Sequence, residues 1–152
     1  IARAYEKGGA TCPSVLTDQK YFKVFISCLL LGFFEYLEAK RNAGVECPLL
    51  CNEFIIDAWQ IYYARIKGAD AVVFYCSAVL PDLDIKYMTK ICKMLGLAAP
   101  AGVHDEREMD LARGIDGIEL IGINNRNLGT FELDVSNTKR LLEEGRRGQT
   151  DP

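Results

Sequence analysis

The chain is poor in the residues that most often announce a chemistry. It holds one histidine, His104, and one tryptophan, Trp59. A single imidazole excludes the paired-histidine metal centres. Six cysteines are present (Cys12, Cys28, Cys47, Cys51, Cys76 and Cys92), but none forms a CxxC pair. The closest two, Cys47 and Cys51, have no histidine nearby to complete a zinc set, so no metal site is expected. Their scatter through apolar segments reads as free, buried thiols of a reducing compartment. Glycine-rich phosphate loops of the GxGxxG or GxxxxGK[ST] kind are missing as well, which weakens a nucleotide-binding open sheet.

Basic charge is also scarce. Lys and Arg number 18 against 21 Asp and Glu, a net charge of −3. That balance offers no surface to displace the counterions of a nucleic acid. The most apolar run, "VFISCLLLGFF" at 24–34, falls far short of the ~20 residues that span a bilayer. No membrane role is expected. The opening "IARAYEKGGA" has neither an initiator methionine nor the apolar core of a secretory signal, and it begins in what reads as mid-helix, as a piece of a longer protein would. What remains is a chain of 152 residues with 49% hydrophobic content and both charge signs, the composition of one globular domain.

A repeat organises that domain. Five times a helical stretch is followed by a glycine and then a short apolar run that turns polar: "YEKGGATCPSVLTD", "KRNAGVECPLLCNEF", "ARIKGADAVVFYCS", "KMLGLAAPAGVHDE" and "ARGIDGIELIGINN". Subtraction places Gly9, Gly44, Gly68, Gly96 and Gly117 35, 24, 28 and 21 residues apart, the length of a β-α unit. Glycine suits such junctions because it takes the left-handed conformation that closes a helix. The apolar runs read as parallel strands covered on both faces. Asp82, the pair Asp105 and Glu108, and Ser136 stand where helix caps are expected. Trp59, Tyr62 and Tyr63 fall at helical spacing and read as core packing.

Successive β-α units imply a parallel α/β fold. An eight-stranded barrel needs ~250 residues, and five strand candidates fit part of one. In that architecture chemistry gathers at the C-terminal ends of strands. The positions to inspect are Thr17 and Asp18, Asn52 and Glu53, Ser77, His104 and Asp105, and 124–127. In "ELIGINNRNL" at 119–128 the apolar run breaks abruptly into polar residues, which suits either a turn or a ligand contact.

The segments "VLTDQKYF", "PLLCNEFIIDAWQIYYARIKGADAV", "AVLPDLDIKYM", "GLAAPAGVHDEREMD" and "GINNRNLGTFELD" together resemble indole-3-glycerol phosphate synthase, most of all its plant form. The resemblance implies a partial (β/α)8 TIM barrel of about strands two to six, occupying residues 1–144. It leaves out an atypical apolar insertion at 23–33 and a disordered tail at 145–152. It implies a carboxy-lyase of tryptophan biosynthesis that closes the indole ring of 1-(o-carboxyphenylamino)-1-deoxyribulose 5-phosphate with loss of carbon dioxide and water. It implies a small phosphorylated substrate, no cofactor, no nucleic-acid or membrane partner, and a plastid stroma location through a transit peptide outside this chain.

Carried over by position, the resemblance makes Asn124 a catalytic and substrate-contacting residue, with Phe54 and Arg126 as further substrate contacts. Two positions depart from the family pattern. Asn52 stands where the family has its general-acid lysine, and Gly102 stands where it has a catalytic glutamate. An amide is no proton donor of suitable acidity, and glycine handles no proton at all. With strands one, seven and eight outside the chain, the competing expectation is an inactive fragment or decayed relative, with open barrel edges that favour self-association. His104, beside Asp105 and Glu106, reads as a capping or supporting residue. The isomerase of the preceding tryptophan step shares the fold, but the "GINNRNL" block speaks against it.

Overall fold

Five glycines set the frame. In the computed structural model, which describes residues 2–16, 34–76, 81–130 and 132–147, Gly9, Gly44, Gly68, Gly96 and Gly117 have φ of +92°, +77°, +94°, +66° and +93°. These are the five junctions expected from the repeat. At four of them the next amide reaches back five residues: Ala10 N to Tyr5 O at 2.9 Å, Val45 N to Lys40 O at 3.3 Å, Ala69 N to Ala64 O at 3.0 Å, and Leu97 N to Cys92 O at 2.9 Å. That bond satisfies a helix-end carbonyl while the chain reverses toward its strand.

The helices are α1 (Ala2–Lys7), α2 (Glu35–Asn42), α3 (Ala58–Ile66), α4 (Asp82–Met94), α5 (Glu106–Arg113) and α6 (Asn137–Arg147). The strands are β1 (Ser14–Leu16), β2 (Leu50–Asn52), β3 (Ala71–Val72), β4 (Phe74–Tyr75), β5 (Ala101–Val103) and β6 (Ile121–Ile123). They form two three-stranded sheets, β1-β2-β3 and β4-β5-β6, with every pair parallel. The parallel α/β class is therefore as expected. The third repeat is divided at Val73 into β3 and β4, and its amides alternate between neighbours. Ala71 N and Val73 N donate to Leu49 O and Cys51 O at 3.2 Å each, whereas Val72 N and Phe74 N donate to Ala98 O at 3.0 Å and Pro100 O at 2.9 Å. One run of chain thus serves both sheets.

Burial alternates along β1 and β2. Val15 and Cys51 are buried, while Ser14 and Leu16 are exposed and Leu50 and Asn52 half-buried. Coverage of both faces was expected from the apolar runs; β3 and β5 are buried at every residue, whereas β1 and β2 alternate. On one face Val15, Cys51, Val72, Phe74, Ala101 and Val103 join one core with Leu37, Ile61, Ile85, Met88, Met109 and Leu141 from the helices. Leu16 at 66% and Leu120 at 67% exposure mark the other face. A period of two explains the division, since successive strand residues point to opposite sides.

Local capping differs in part from expectation. Asp105 caps α5, accepting from Glu108 N at 2.8 Å. Asp57 and Gln60 form a capping box on α3, with Asp57 Oδ1 accepting from Trp59 N at 3.0 Å. Asp82 is not a cap. Pro81 holds that position, without a side-chain bond, and Asp82 opens the helix, where its charge still complements the helix dipole. The Ser136 hydroxyl is turned to Asp134 Oδ1 at 2.5 Å. Of the aromatic trio, Tyr63 lies edge-on to the fully buried Phe34 at 5.2 Å, and Trp59 packs on Phe34 at 6.5 Å and on Tyr63 at 6.1 Å. Tyr62 is exposed at 46%, and Trp59 keeps 36% exposure.

At the N-terminal side of the strands, Arg41 ties α2 to the following units. Its Nε donates to Gly68 O, and its Nη1 to Val45 O and Cys47 O, each at 2.9 Å. It also pairs with Asp70, whose Oδ2 accepts from Leu49 N at 2.9 Å. Helix α6 runs to Arg147, so the expected domain boundary at 144 falls within it. The apolar insertion at 23–33, Thr17, Asp18, Ser77 and residues 148–152 lie outside the described residues.

Gly68 combines a positive φ with crowding, since a Cβ there would stand 2.5 Å from Arg41 Cγ, whereas one at Gly96 would meet nothing within 4 Å. Gly96→Ala is expected to cost about 1 kcal/mol through backbone strain alone. Gly68→Ala is expected to cost about 3 kcal/mol, because the bonded Arg41 cannot yield without losing its acceptors. Urea unfolding of the two variants measures the difference, and equal costs would show that Arg41 is not clamped.

Candidate active site

The C-terminal ends of β4, β5 and β6 open into a cavity of about 280 Å³. Tyr75 and Cys76 line it from β4, Gly102 and His104 from β5, and Glu108 from α5, while Asn124 and Asn127 close it from β6 and its loop. Of the positions singled out in the sequence, His104, Asp105, Asn124 and Asn127 line this cavity, whereas Asn52 and Glu53 do not. A larger cavity of about 780 Å³ lies at the opposite ends of the strands, with Leu50, Ala98 and Leu120 among its lining. Its lining also carries Lys93, Asp116 and Glu119, but it lies at the strand ends opposite those where the polar candidate residues gather.

The polar run after β6 makes a turn with its side-chain oxygens. Asn124 Oδ1 accepts from Arg126 N at 3.0 Å, and Asn127 Oδ1 from Gly129 N at 2.8 Å and Thr130 N at 3.0 Å. Asn127 N donates to Glu132 O, and Asp134 N to Asn125 O, each at 2.9 Å. Asn125 Oδ1 serves α6, accepting from Thr138 N at 3.1 Å and Thr138 Oγ1 at 2.7 Å. That is the cap expected of Ser136, supplied from another loop. With its oxygen committed to the turn, Asn124 has its Nδ2–H donors to offer a ligand in the cavity.

Asn124 is held from behind by a residue that sequence reasoning missed. Asn137, at the start of α6, is buried at 1% exposure. Its Nδ2 lies 2.8 Å from His104 O and 3.2 Å from Asn124 O, and its Oδ1 accepts from Arg140 Nη2 at 2.6 Å. His104 is engaged further: its amide donates to Glu108 Oε2 at 2.7 Å, and its Nδ1 is 2.9 Å from Asn124 O. A carbonyl can only accept, so the proton lies on Nδ1. The imidazole ties the ends of β5 and β6 together, the supporting role expected of it. A polar residue just inside a helix start is the one signal that could have pointed to Asn137.

The remaining candidate residues meet through Tyr75. Its hydroxyl donates to Asn52 Oδ1 at 2.5 Å, and Asn52 Nδ2 donates to Ser14 Oγ at 3.2 Å. Phe54 lies against the Tyr75 ring, 5.2 Å between centroids. Gly102 pairs with Tyr75 across β4 and β5. Arg126 is exposed and outside the cavity lining. It pairs instead with Leu133 in an isolated antiparallel bridge.

Burial holds the Tyr75 phenol above its ordinary pKa, so it is neutral at physiological pH. Burial likewise pushes the thiols of Cys51 and Cys92 up to about 12 and that of Cys76 up to about 11. Such thiols are inert as nucleophiles. Cys12 is exposed and Cys47 half-buried, contrary to the expectation that all the cysteines are buried. Among the described residues no cluster of His, Cys, Asp or Glu could hold a metal ion, and no helix is long and apolar enough to cross a membrane.

Removing the Asn137 amide leaves the Asn124 and His104 carbonyls short of a buried donor. Asn137→Ala is expected to cost about 2 kcal/mol and to loosen the loop after β6. Urea unfolding and hydrogen exchange at the loop amides check both, and an unchanged stability would mean water replaces the side chain without loss.

The sequence model of the family "Indole-3-glycerol phosphate synthase" matches residues 1–150. The chain is 66% identical over 143 residues to the chloroplastic indole-3-glycerol phosphate synthase of Arabidopsis thaliana, covering 94% of this chain and 33% of that protein. It is 54% identical over 143 residues to the indole-3-glycerol phosphate synthase of Microcystis aeruginosa, with 94% of this chain and 45% of that protein covered. For the synthase of Rippkaea orientalis the identity is 51% over 142 residues, with 93% and 45% covered. The chain therefore spans a third to under half of the length of these relatives.

Proposed function

The chain belongs to the indole-3-glycerol phosphate synthase family, and from that premise we propose that it is the central part of a carboxy-lyase of tryptophan biosynthesis. The reaction is closure of the indole ring of 1-(o-carboxyphenylamino)-1-deoxyribulose 5-phosphate, with loss of carbon dioxide and water. The observation that carries this reading is the 66% identity to a chloroplastic synthase across nearly the whole chain. In this reading the two parallel sheets are about strands two to six of a (β/α)8 barrel, one domain whose uncovered sheet face looks into the barrel. The same relative supports a plastid stroma location.

Ring closure needs electrophilic help at a ketose carbonyl and orientation of the anthranilate ring. Asn124 would donate its Nδ2–H groups to the substrate, and Phe54 would lie beside the aromatic ring. Arg126 would meet substrate from outside the cavity. Asn52 can hydrogen-bond the carbonyl but not protonate it, and Gly102 contributes no proton transfer. No cofactor enters this scheme. The phosphate would be held by groups beyond the present residues.

A second reading is favoured by Asn52 and Gly102 themselves: a relative that keeps the scaffold and has lost the proton-transfer groups. The two readings separate in an assay. A chain completed with the segments its relatives possess is expected to form indole glycerol phosphate. Its rate should fall on the order of 10²- to 10⁴-fold below the Arabidopsis relative for each missing acid–base group. A rate no higher than the uncatalysed reaction establishes the second reading.

The edge strands β1 and β6 and the uncovered face also support self-association of the isolated chain. Light scattering coupled to size exclusion is expected to show dimers or larger species. A monodisperse monomer with a cooperative unfolding transition contradicts it.

A further inference from the structure

Gly102 presents a paradox of burial. By register it lies on the accessible face of the sheet, beside Gly122 of β6, yet it is buried. The Tyr75 ring explains it. A Cβ placed on Gly102 would stand 2.8 Å from Cδ1 and 2.9 Å from Cε1 of that ring, closer than real Cβ contacts allow. The ring is not free to swing aside. Phe54 packs against it, and its hydroxyl is fastened to Asn52 Oδ1 at 2.5 Å. The two positions that depart from the family pattern are therefore joined by a third residue on the strand between them.

We propose that Tyr75 is the specificity-determining residue of this site, filling the room that any side chain at 102 would need and using the hydrogen-bonding capacity of Asn52. Positions 52, 75 and 102 then form one packing unit rather than two independent losses. A carboxylate at 102 requires a small residue at 75. An ammonium at 52 would face a phenol that has lost its acceptor. With the ring in place, the cavity is bounded on the β4 side by a neutral phenol, which narrows the way from it toward Asn52 and Phe54. With the ring removed, the cavity joins the space over Asn52 and Phe54, room for an aromatic carboxylate of the anthranilate kind.

The structural claim stands on this chain alone, while its consequence for turnover rests on the reading proposed above. A double-mutant cycle on the chain tests the first. Gly102→Glu and Tyr75→Ala are made singly and together, with Gly102→Ala as the milder variant should Gly102→Glu fail to fold, and urea unfolding is measured for each. Gly102→Glu or Gly102→Ala is expected to raise the unfolding constant steeply when Tyr75 is present and little when it is alanine. The expected coupling is about tenfold in that constant. Additive effects, with no coupling, overturn the proposal. In the completed chain, Asn52→Lys with Gly102→Glu is expected to leave turnover low, and adding Tyr75→Ala to raise it at least tenfold. Coupling in stability with no turnover in any variant would keep the packing unit and reject the synthase reading, whereas measurable turnover that is equal with and without Tyr75 would reject the role of Tyr75 in specificity.

Discussion

Everything in this molecule hangs on the strand at 71–75, whose amides donate alternately to the two sides. Leu49 and Cys51 accept from it on the β2 side, Ala98 and Pro100 on the β5 side. Without that sharing, β1 and β2 would be one small sheet and β5 and β6 another, each too narrow to bury a helix layer. The same alternation sorts its side chains. Val72 and Phe74 enter the core beneath the helices, while Tyr75 stands on the opposite face among the strand ends. A parallel strand supplies both functions because its hydrogen bonds lie in the sheet plane and its side chains stand off it.

The two ends of the strands are built for different purposes. At the N-terminal side, Arg41 and Asp70 bind loop carbonyls and amides from two successive units. Charged groups there satisfy backbone that the glycine turns leave unpaired. At the C-terminal side, side-chain amides do much of the equivalent work: Asn125 caps α6 and Asn137 gathers the carbonyls of His104 and Asn124, while the His104 ring joins β5 to β6 and the Glu108 carboxylate accepts from the His104 amide. Amides can brace a site in this way without adding a net charge to the cavity they surround.

Much of this was readable one residue at a time. The five glycines declare themselves because a positive φ is a local demand that other residues meet only with strain. Asp105 is legible as a cap because its partner, the Glu108 amide, lies three residues on. Asn125 was not legible in that role, because the amide it accepts belongs to a helix beyond a folded loop. Ser136 has a cap's position, but Asp134 competes for its hydroxyl. The exposure of Tyr62 was missed for a related reason. Helical spacing shows that residues share a face, not which face meets the sheet.

The sequence by itself determined the parallel α/β plan, the family, and the positions where polar residues meet strand ends, since each follows from periodicity, composition or motif along the chain. It also singled out Asn52 and Gly102, as positions where the resemblance implies other residues. Only the tertiary structure decided that these positions share one neighbour, because Tyr75 reaches Gly102 through strand register and Asn52 through a side-chain hydrogen bond. Register is set by the packing of whole helices on the sheet. No local pattern around residue 75 contains it.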